Sequence, residues 1–380
     1  MKSLICNSCS KEYSIEDPVW KCSCGGTLDF NFSPVFNIEK IDPKTQGMWR
    51  YRKTIPIDQN KNIVSFQEGF TPLLEIETSK GRLYIKQDHL FPTGSYKDRG
   101  ASVLISKVKE LGIKKVVEDS SGNAGAAVAA YCAKAGIKCD IYVPESTSAG
   151  KLAQIELYGA NLHKIPGSRE NTAEAVMEAA EKNYYASHSW NPWFFQGTKT
   201  FAYEVCEQLG WKAPDIVILP AGNGTLFLGA YIGFKELSIA GLIKKIPKMI
   251  AIQTQNCAPL YKSYISKLEE PSKIDSITNT LAEGIAIAKP VRGTQILTAV
   301  RETNGEIIAV TEDEIKNTLW SMMKQGYYIE PTSAAVIAGA VNYQEENRGT
   351  IMNKTIVTVF TGHGLKGTDK LLKIMNGEKK

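Results

Sequence analysis

The feature that most constrains the fold of this chain is a repeated order of apolar strand, glycine-rich turn and helix. Stretches rich in Val, Ile and other apolar residues, typical of strands buried on both faces, occupy 113–118, 139–143, 215–220, 249–253 and 356–360. Helical patterns cover 124–135, 151–158 and 226–237. Strands that alternate with helices in this way build mostly parallel sheets covered by helices. The sequence therefore predicts an α/β protein, with ligands bound beyond the carboxyl ends of the strands.

The length and the charge of the chain indicate the broad class of protein. A chain of 380 residues is too long for one ordinary core and suits two or three packed units. The net charge of +5 comes from 45 basic and 40 acidic residues spread along the chain, so we expect neither nucleic acid nor a membrane surface as a partner. The N-terminus lacks the pattern of a signal peptide, and no apolar run has the length of a bilayer span. These features predict a cytoplasmic protein with reduced thiols.

The first 30 residues read as a separate small cysteine ribbon. Its cysteines are Cys6, Cys9, Cys22 and Cys24, and Gly25-Gly26 follows the second pair. Four thiolates in two close pairs can surround one tetrahedral zinc ion, and a segment with so small a core would draw its folding energy from the metal. A ribbon that has lost its metal is the alternative. Because four protein ligands leave no open position, a zinc ion here would be structural.

Three strand ends break into small and polar residues, at 120–125, 221–225 and 361–364. The turn that contains Gly222, Asn223, Gly224 and Thr225 opens a helix. Backbone N–H groups at such a position bind anions, and a phosphate is the natural occupant. A tight strand-to-helix turn also needs glycine for steric reasons alone, so this turn by itself does not decide between the two interpretations.

Lys97 lies in a fourth unusual segment, 92–100, next to Asp98 and Arg99 and at a predicted helix start. A lysine that attacks a carbonyl needs a lowered pKa, which burial and nearby cations supply. For an arbitrary lysine, a surface pair with Asp98 would be the simpler interpretation. The motifs that accompany Lys97 favour the interpretation that it is a reactive lysine.

Taken together, 92–100, Ser120-Ser121-Gly122-Asn123, Gly222-Asn223-Gly224 and Thr361-Gly362-His363-Gly364 resemble, in order, the motifs of threonine synthases. Threonine synthases belong to the fold-type-II enzymes that use pyridoxal 5′-phosphate (PLP), as do serine and threonine ammonia-lyases, cysteine synthases and tryptophan synthase β subunits. The likeness runs from about Gly69 to Leu372, and a cysteine-rich ribbon also occurs in some threonine synthases. The resemblance implies two open, twisted sheets and a homodimer. It divides the chain into the ribbon (1–30), a large PLP-binding domain (31–95 and 200–380) and a small domain (96–199), with Lys97 at the domain interface.

The resemblance also implies a role for each matched residue. Lys97 would hold PLP as a Schiff base and move protons on the substrate. Asn123 would bind the cofactor's 3-hydroxyl, and Ser120 and Ser121, with Asn123, would bind the carboxylate of a small amino-acid substrate. The cofactor phosphate would rest on Gly222, Asn223, Gly224 and Thr225.

Thr361 would face the pyridine nitrogen. A hydroxyl cannot stabilise a pyridinium as a carboxylate would, so a neutral ring nitrogen and a weaker electron sink are expected. Elimination and replacement are then favoured over transamination.

Two positions depart from the threonine synthase pattern. Phe194 stands where that family normally carries an arginine for the substrate phosphate, and Ala124 stands where a threonine is common. The loop 281–286 resembles that of threonine ammonia-lyases more than that of threonine synthases. Lys199, Arg292 or His188 could replace the missing phosphate ligand, and core packing explains Trp190, Trp193, Phe194 and Phe195 at least as well as a specificity wall.

Three functions therefore remain open. The first is a PLP-dependent lyase of the threonine synthase type, which eliminates phosphate from O-phosphohomoserine and adds water. The second is an ammonia-lyase or β-replacement enzyme for an unphosphorylated amino acid such as serine or threonine, favoured by Phe194 and Ala124. The third is a binding module without catalysis, suggested by the ribbon alone, against which Lys97, Asn123 and Thr361 together argue.

Overall fold

The computed structural model describes residues 2–32, 34, 36–147, 149–167, 169–274 and 279–375. The chain divides into two compact units. The first comprises Met1–Gly69 and Lys97–Thr200, and the second comprises Phe70–Tyr96 and Phe201–Lys380.

The first unit contains two sheets. An antiparallel sheet in the order β2-β1-β3 is built from β1 (Ser3–Cys6), β2 (Glu12–Ser14) and β3 (Leu28–Phe30). The remaining elements of this unit are, in chain order, α1 (Lys97–Glu110), β6 (Lys115–Glu118), α2 (Asn123–Ala135), β7 (Lys138–Pro144), α3 (Ala149–Leu157), β8 (Asn161–Ile165), α4 (Arg169–Ala179), β9 (Tyr184–Tyr185) and α5 (Pro192–Thr198). Their four strands form a parallel sheet in the order β8-β7-β6-β9.

The second unit is organised around one sheet in the order β12-β11-β10-β13-β5-β4, in which only the edge strand β4 runs antiparallel to its neighbour. Its elements are β4 (Leu73–Thr78), β5 (Gly81–Lys86), α6 (Thr200–Gln208, whose first residue belongs to the first unit), β10 (Ile216–Pro220), α7 (Thr225–Ile239), β11 (Lys248–Thr254), α8 (Pro259–Ile265), α9 (Gly293–Glu302), β12 (Glu306–Val310), α10 (Glu312–Lys324), α11 (Pro331–Glu346), β13 (Ile356–Val359) and α12 (Thr368–Met375).

Local sequence explains these elements. Every residue of β10 is buried, as expected for a central parallel strand covered on both faces. Gly136, with φ 67°, ends α2 in the left-handed conformation that glycine tolerates. Thr311 and Glu314 form a reciprocal capping box at the start of α10. The α/β class and the mostly parallel sheets predicted from the sequence are confirmed.

The segment 31–69 groups with the first unit, whereas the division made from the sequence attached it to residues 200–380. Its contacts with α1 explain the grouping. The Trp49 indole N–H donates to Glu68 Oε1 (3.1 Å) and to Ser102 Oγ (2.9 Å), and the N–H of Val64 donates to Ser106 Oγ (2.8 Å). Buried hydrogen bonds of this kind are costly to break, so the segment is held on α1.

Among the helices that the structure describes, none is both long enough and apolar enough to pass through a bilayer.

Candidate active site

The turn after β10 is a closely packed part of the site in the second unit. Gly224 precedes α7 with φ 67°, and a β-carbon at this position would overlap with Ile296 Cδ1 and lie 2.7 Å from Ile296 Cγ1. Gly222 and Gly224 are buried, Asn223 is half-buried, and Thr225 begins the helix. The backbone N–H groups of the first helical turn have no intrahelical partner, and the helix dipole adds positive potential there. This arrangement suits a phosphate.

A loop around residues 283–287 lies against the same turn. A β-carbon on Gly222 would come 2.9 Å from the Cα of Ile285 and 3.2 Å from the carbonyl oxygen of Gly284. Glu312 fixes the start of the loop, because its carboxylate accepts hydrogen bonds from the hydroxyl of Thr280 (2.6 Å) and the N–H of Leu281 (2.7 Å). Gly222 is therefore required so that two backbone segments can approach each other.

Tyr96 joins the two predicted cofactor-binding parts of the second unit. Its hydroxyl lies 2.9 Å from Thr225 Oγ1, and its backbone N–H donates to the carbonyl oxygen of Thr361 (3.0 Å). Because β10 and β13 are parallel neighbours, the turns that follow them lie at the same edge of the sheet. Lys97 is the next residue in the chain after this tyrosine.

Ser95 adds a polar group to this region. It pairs with Gly362 in an antiparallel bridge, and its side chain is fully buried. Its hydroxyl has no hydrogen-bond partner among the residues that the structure describes. A buried hydroxyl of this kind is usually satisfied by a ligand or a water molecule, which is consistent with a bound cofactor nearby.

Thr361 is fully buried at the end of β13. Its hydroxyl donates to Glu330 Oε1 (2.7 Å) and lies 2.9 Å from Ser333 Oγ. The Ser333 hydroxyl also accepts from the backbone N–H of Thr361 (2.8 Å). Thr361 is thus oriented by two side chains at the start of α11.

Two histidines pack near the turn that follows β13. His89 and His363 have ring centroids 5.6 Å apart, and His89 also packs edge-on against Phe360 at 5.3 Å. Burial, followed by the nearby His363, lowers the pKa of His89 to about 4, and burial lowers the pKa of His363 as well. His89 is therefore a neutral imidazole at physiological pH.

In the first unit, Lys97 is half-buried and begins α1. Its Nζ lies 5.6 Å from the ring centroid of Phe194, which is fully buried. Phe194 packs so closely on α1 that a β-carbon on Gly100 would overlap with its ring. The aromatic ring therefore lies beside the amine that the sequence analysis identified as reactive.

The predicted substrate-binding residues lie between β6 and α2. Ser120, Ser121 and Asn123 are half-buried, and Asn123 is the first residue of α2. The Ser120 hydroxyl accepts from the N–H of Gly122 (3.3 Å). This turn brings polar side chains to a helix N-terminus, where a substrate carboxylate would be stabilised.

The three cations considered as substitutes for a phosphate-binding arginine differ in their surroundings. Lys199 is fully buried and donates to the carbonyl oxygen of Thr54 (3.0 Å) and to Gln196 Oε1 (2.7 Å). Arg292, in the second unit, is buried and donates to Gln295. His188 bonds to Glu118 Oε1 through Nδ1 (2.9 Å), and its ring centroid is 6.0 Å from that of Phe194. His188 thus shares Phe194 as a neighbour with Lys97.

The neighbouring aromatic residues belong to the core. Trp193 and Phe195 are buried, and Trp193 packs edge-on against Phe30 with ring centroids 4.9 Å apart. Trp190 packs edge-on against Trp20 at 5.9 Å. Core packing therefore accounts for these three rings.

The four N-terminal cysteines come together in space. Their sulfur atoms all lie within 4.8 Å of one another, with Cys6 and Cys24 at 3.5 Å and Cys9 and Cys22 at 3.5 Å. The backbone N–H of Cys24, and then the hydroxyl of Tyr13, lower the pKa of the Cys22 thiol to about 6. Four cysteine sulfur atoms this close to one another are the donor set of a tetrahedral structural zinc site, so the cluster could hold such an ion.

The chain belongs to the family of pyridoxal-phosphate dependent enzymes, whose model matches residues 64–362. Within it, the chain is 36% identical to the threonine synthase of Methanocaldococcus jannaschii, over 97% of this chain and 94% of that protein. It is 34% identical to the threonine synthase of Methanosarcina acetivorans, over 98% of this chain and 94% of that protein. The resemblance seen in the motifs is confirmed, as is PLP as the cofactor of an enzyme of this class.

Solved structures agree on the fold. The processed form of threonine deaminase isoform 2 from Solanum lycopersicum matches with a TM-score of 0.71 and 22% identity, covering 91% of this chain and 96% of that one. Serine racemase from Dictyostelium discoideum matches with a TM-score of 0.65 and 28% identity, covering 78% of this chain and 92% of that one.

The sequence analysis gave no role to Tyr96, Ser95, Glu330 or Ser333. Ser95 and Tyr96 lie within the motif 92–100, which was the available signal, whereas Glu330 and Ser333 lie outside the four motifs that carry the resemblance. Their contacts with Thr225, Thr361 and Gly362 depend on the tertiary fold, so the sequence alone did not indicate them.

Proposed function

We propose that this protein is a threonine synthase, which converts O-phosphohomoserine and water into threonine and phosphate. The observation that carries the proposal is the double contact of Tyr96, which links the anion-binding turn at Thr225 to Thr361 and directly precedes Lys97. The likeness to threonine synthases over 97% and 98% of the chain supports the same reaction.

Each residue has a definite task in this proposal. Bound PLP supplies an electron-accepting ring that stabilises negative charge next to the substrate's amino group. Lys97 would be the attachment point of the cofactor, and its Nζ would take the proton from the substrate Cα. The N–H groups of Gly222, Asn223, Gly224 and Thr225 hold the cofactor phosphate at the N-terminus of α7.

The remaining site residues orient the reactants. Asn123 would donate a hydrogen bond from its side-chain amide to the 3-hydroxyl of bound PLP. Ser120 and Ser121 donate their hydroxyls to the substrate carboxylate, so that the Cα–H bond is directed towards Lys97. The hydroxyl of Thr361 would face the ring nitrogen of bound PLP. Substrate held in one orientation reacts faster because the entropy of alignment has been lost on binding.

A second candidate function rests on Phe194. The buried ring lies 5.6 Å from Lys97 Nζ, where threonine synthases normally carry an arginine for the substrate phosphate. A phosphate dianion needs charged hydrogen-bond donors, and a phenyl ring offers none. If His188 does not take over this task, an unphosphorylated substrate such as serine or threonine fits better, and the enzyme would be an ammonia-lyase or a β-replacement enzyme.

A substrate panel separates the two candidates. Purified holoenzyme is incubated with O-phosphohomoserine, threonine and serine, and the release of phosphate, threonine and keto acid is measured. Phosphate and threonine formed in equal amounts support the first candidate. Keto acid from serine or threonine, with no turnover of O-phosphohomoserine at millimolar concentration, supports the second.

Lys97→Ala tests the role of the amine itself. We expect this variant to lose the absorbance band of the protein-bound cofactor while it remains folded by circular dichroism. Lys114→Ala, at an exposed lysine, is the control and keeps the band. A band that persists in Lys97→Ala places the attachment on another amine.

We also propose that Cys6, Cys9, Cys22 and Cys24 bind one structural zinc ion, supported by the mutual approach of their sulfur atoms within 4.8 Å. Metal analysis that finds one zinc per chain in the wild type, and less than one in Cys9→Ser, is the expected result. A homodimer and a cytoplasmic location stay predictions. Sedimentation equilibrium tests the first, and fractionation of the source cells tests the second.

A further inference from the structure

Tyr96 and Thr225 form a hydroxyl pair in the second unit, although they are far apart in the chain. Tyr96 Oη lies 2.9 Å from Thr225 Oγ1, and 129 positions separate the two residues. Thr225 is 2% exposed and is the first residue of α7, whereas Tyr96 is half-buried. A tyrosine hydroxyl that is removed from water usually has a hydrogen-bond partner. Here that partner belongs to the turn proposed to hold the cofactor phosphate.

The backbone around Tyr96 is fixed without help from its hydroxyl. Its N–H donates to the carbonyl oxygen of Thr361 (3.0 Å), and the carbonyl oxygen of Gly94 accepts from the N–H of His363 (2.9 Å). The residue between them pairs with Gly362 in an antiparallel bridge. These contacts join the segment to the turn after β13 through main-chain atoms. Replacement of Tyr96 by phenylalanine therefore removes one oxygen atom and leaves the path of the chain in place.

The hydroxyl pair can donate one hydrogen bond beyond itself. Each hydroxyl has one proton and two lone pairs. The contact between Tyr96 and Thr225 uses one of the two protons, whichever hydroxyl supplies it, so the second can go to an acceptor outside the pair. An ionised phosphate oxygen accepts hydrogen bonds, and a hydrogen bond to a charged acceptor is stronger than one between neutral groups.

The position of Thr225 brings that second proton to an anion. The helix α7 has 15 residues, and the N–H groups of its first turn have no intrahelical partner. Together with the helix dipole, these groups attract an anion to the end of the helix that Thr225 begins. An anion bound there is adjacent to the first helical residue, so the hydroxyl of that residue is a natural side-chain donor to it.

We propose that Tyr96 is a positioning residue for the cofactor phosphate: its hydroxyl fixes Thr225 Oγ1, so that the pair donates one hydrogen bond to a phosphate oxygen of bound PLP. The proposal rests on the proposed function, which places the phosphate on the turn from Gly222 to Thr225. It adds a side-chain hydrogen bond to the backbone N–H groups of that turn. Because this hydrogen bond goes to the phosphate monoester, it distinguishes PLP from pyridoxal, which has the same ring.

The test compares the dissociation constants of PLP and of pyridoxal, which lacks the phosphate. Each is titrated into apo-protein from which the cofactor has been removed with hydroxylamine, and bound cofactor is measured by absorbance. Wild type, Tyr96→Phe, Thr225→Val and the double variant are compared after circular dichroism has shown that each is folded. Tyr328→Phe is the matched control, because the Tyr328 hydroxyl lies 2.7 Å from that of Thr368 in another tyrosine–threonine pair of the same unit.

We expect Tyr96→Phe to weaken PLP binding about tenfold, roughly the loss of one hydrogen bond to a charged group, and to leave pyridoxal binding unchanged. Thr225→Val should weaken PLP binding at least as much. Tyr96→Phe should add little in that background, because the two hydroxyls act as one unit. Tyr328→Phe should bind both ligands as the wild type does. A purely structural role for Tyr96 would weaken both ligands equally, so the ratio of the two constants identifies phosphate recognition.

Wild-type PLP affinity in Tyr96→Phe, together with weaker PLP binding in Thr225→Val, overturns this inference alone. Equal weakening of PLP and pyridoxal in Tyr96→Phe also overturns it. If neither single variant changes the PLP affinity, this inference fails together with the placement of the phosphate in the proposed function. The readout is cofactor binding, so it does not depend on which substrate the enzyme converts. A failure of the proposed reaction in the substrate panel is therefore a separate result.

Discussion

Replacing Gly224 by alanine tests the glycine turn before α7, on which the placement of the cofactor phosphate depends. Two separate losses of folding stability are expected. Alanine at φ 67° is strained in the left-handed conformation, and its β-carbon would overlap with Ile296. A closely matched control exists at the other end of the same helix, where Gly241 has φ 73° and no atom within 4 Å of an added β-carbon.

The magnitudes follow from these two observations. The left-handed conformation costs an alanine about 1–2 kcal/mol, and this term applies to both glycines. Overpacking against Ile296 adds about 1–3 kcal/mol at Gly224 alone. The lower entropy of the unfolded chain, worth about 0.4–1 kcal/mol, is shared and cancels in the comparison. Gly224→Ala should therefore be less stable than Gly241→Ala by about 1–3 kcal/mol.

Urea unfolding of the apo-protein and titration with PLP measure the two consequences. We expect Gly224→Ala also to bind PLP more weakly than Gly241→Ala, because the shifted turn moves the N–H groups that hold the phosphate. Ile296→Val removes the overlapping Cδ1 atom, so Gly224→Ala should cost less stability in that background. Equal stability and equal PLP affinity of the two alanine variants would refute the packing argument.

Three further predictions concern other parts of the chain. Phe194→Ala should lower the free energy of unfolding by about 3–5 kcal/mol in urea, because a fully buried aromatic ring is lost, and a loss below about 1 kcal/mol would contradict its burial. His89 has a folded pKa of about 4, below its unfolded value of about 6.5, so the unfolded state binds more protons between these values. Stability should fall as the pH drops through this window, by roughly 2 kcal/mol after solvent screening is allowed for, and His89→Asn should remove that part of the pH dependence; parallel curves for the two proteins would refute it. A zinc chelator should lower the melting temperature of the wild type but not that of Cys9→Ser, and equal shifts in both would argue against a metal held by the cysteine cluster.

The parallel strands and the turns at their ends could be predicted from the sequence because their signals are local. The buried strand β10 is a continuous apolar run, and the glycines after it mark the turn. The edge hairpin of β4 and β5 and the two-residue strand β9 had no comparable signal, because they are short or only partly buried. Such elements take their conformation from neighbours that are distant in sequence.

The polar contacts of the site also depend on residues that are distant in sequence. Thr361 was identified by its motif, but its partner Glu330 lies 31 positions away, and Tyr96 lies 129 positions from Thr225. A motif indicates that a hydroxyl is present, whereas the direction in which it donates depends on the surrounding fold.

We infer that Lys97 carries the cofactor, and the proposed site depends on this attachment. Reduction of the PLP-loaded protein with borohydride, followed by digestion and mass spectrometry, tests it directly, because reduction makes the attachment permanent. We expect the mass of the reduced cofactor on the peptide that contains Lys97 and on no other peptide in stoichiometric amount. A stoichiometric label on a different lysine, or no label on a protein that retains PLP, would contradict the claim.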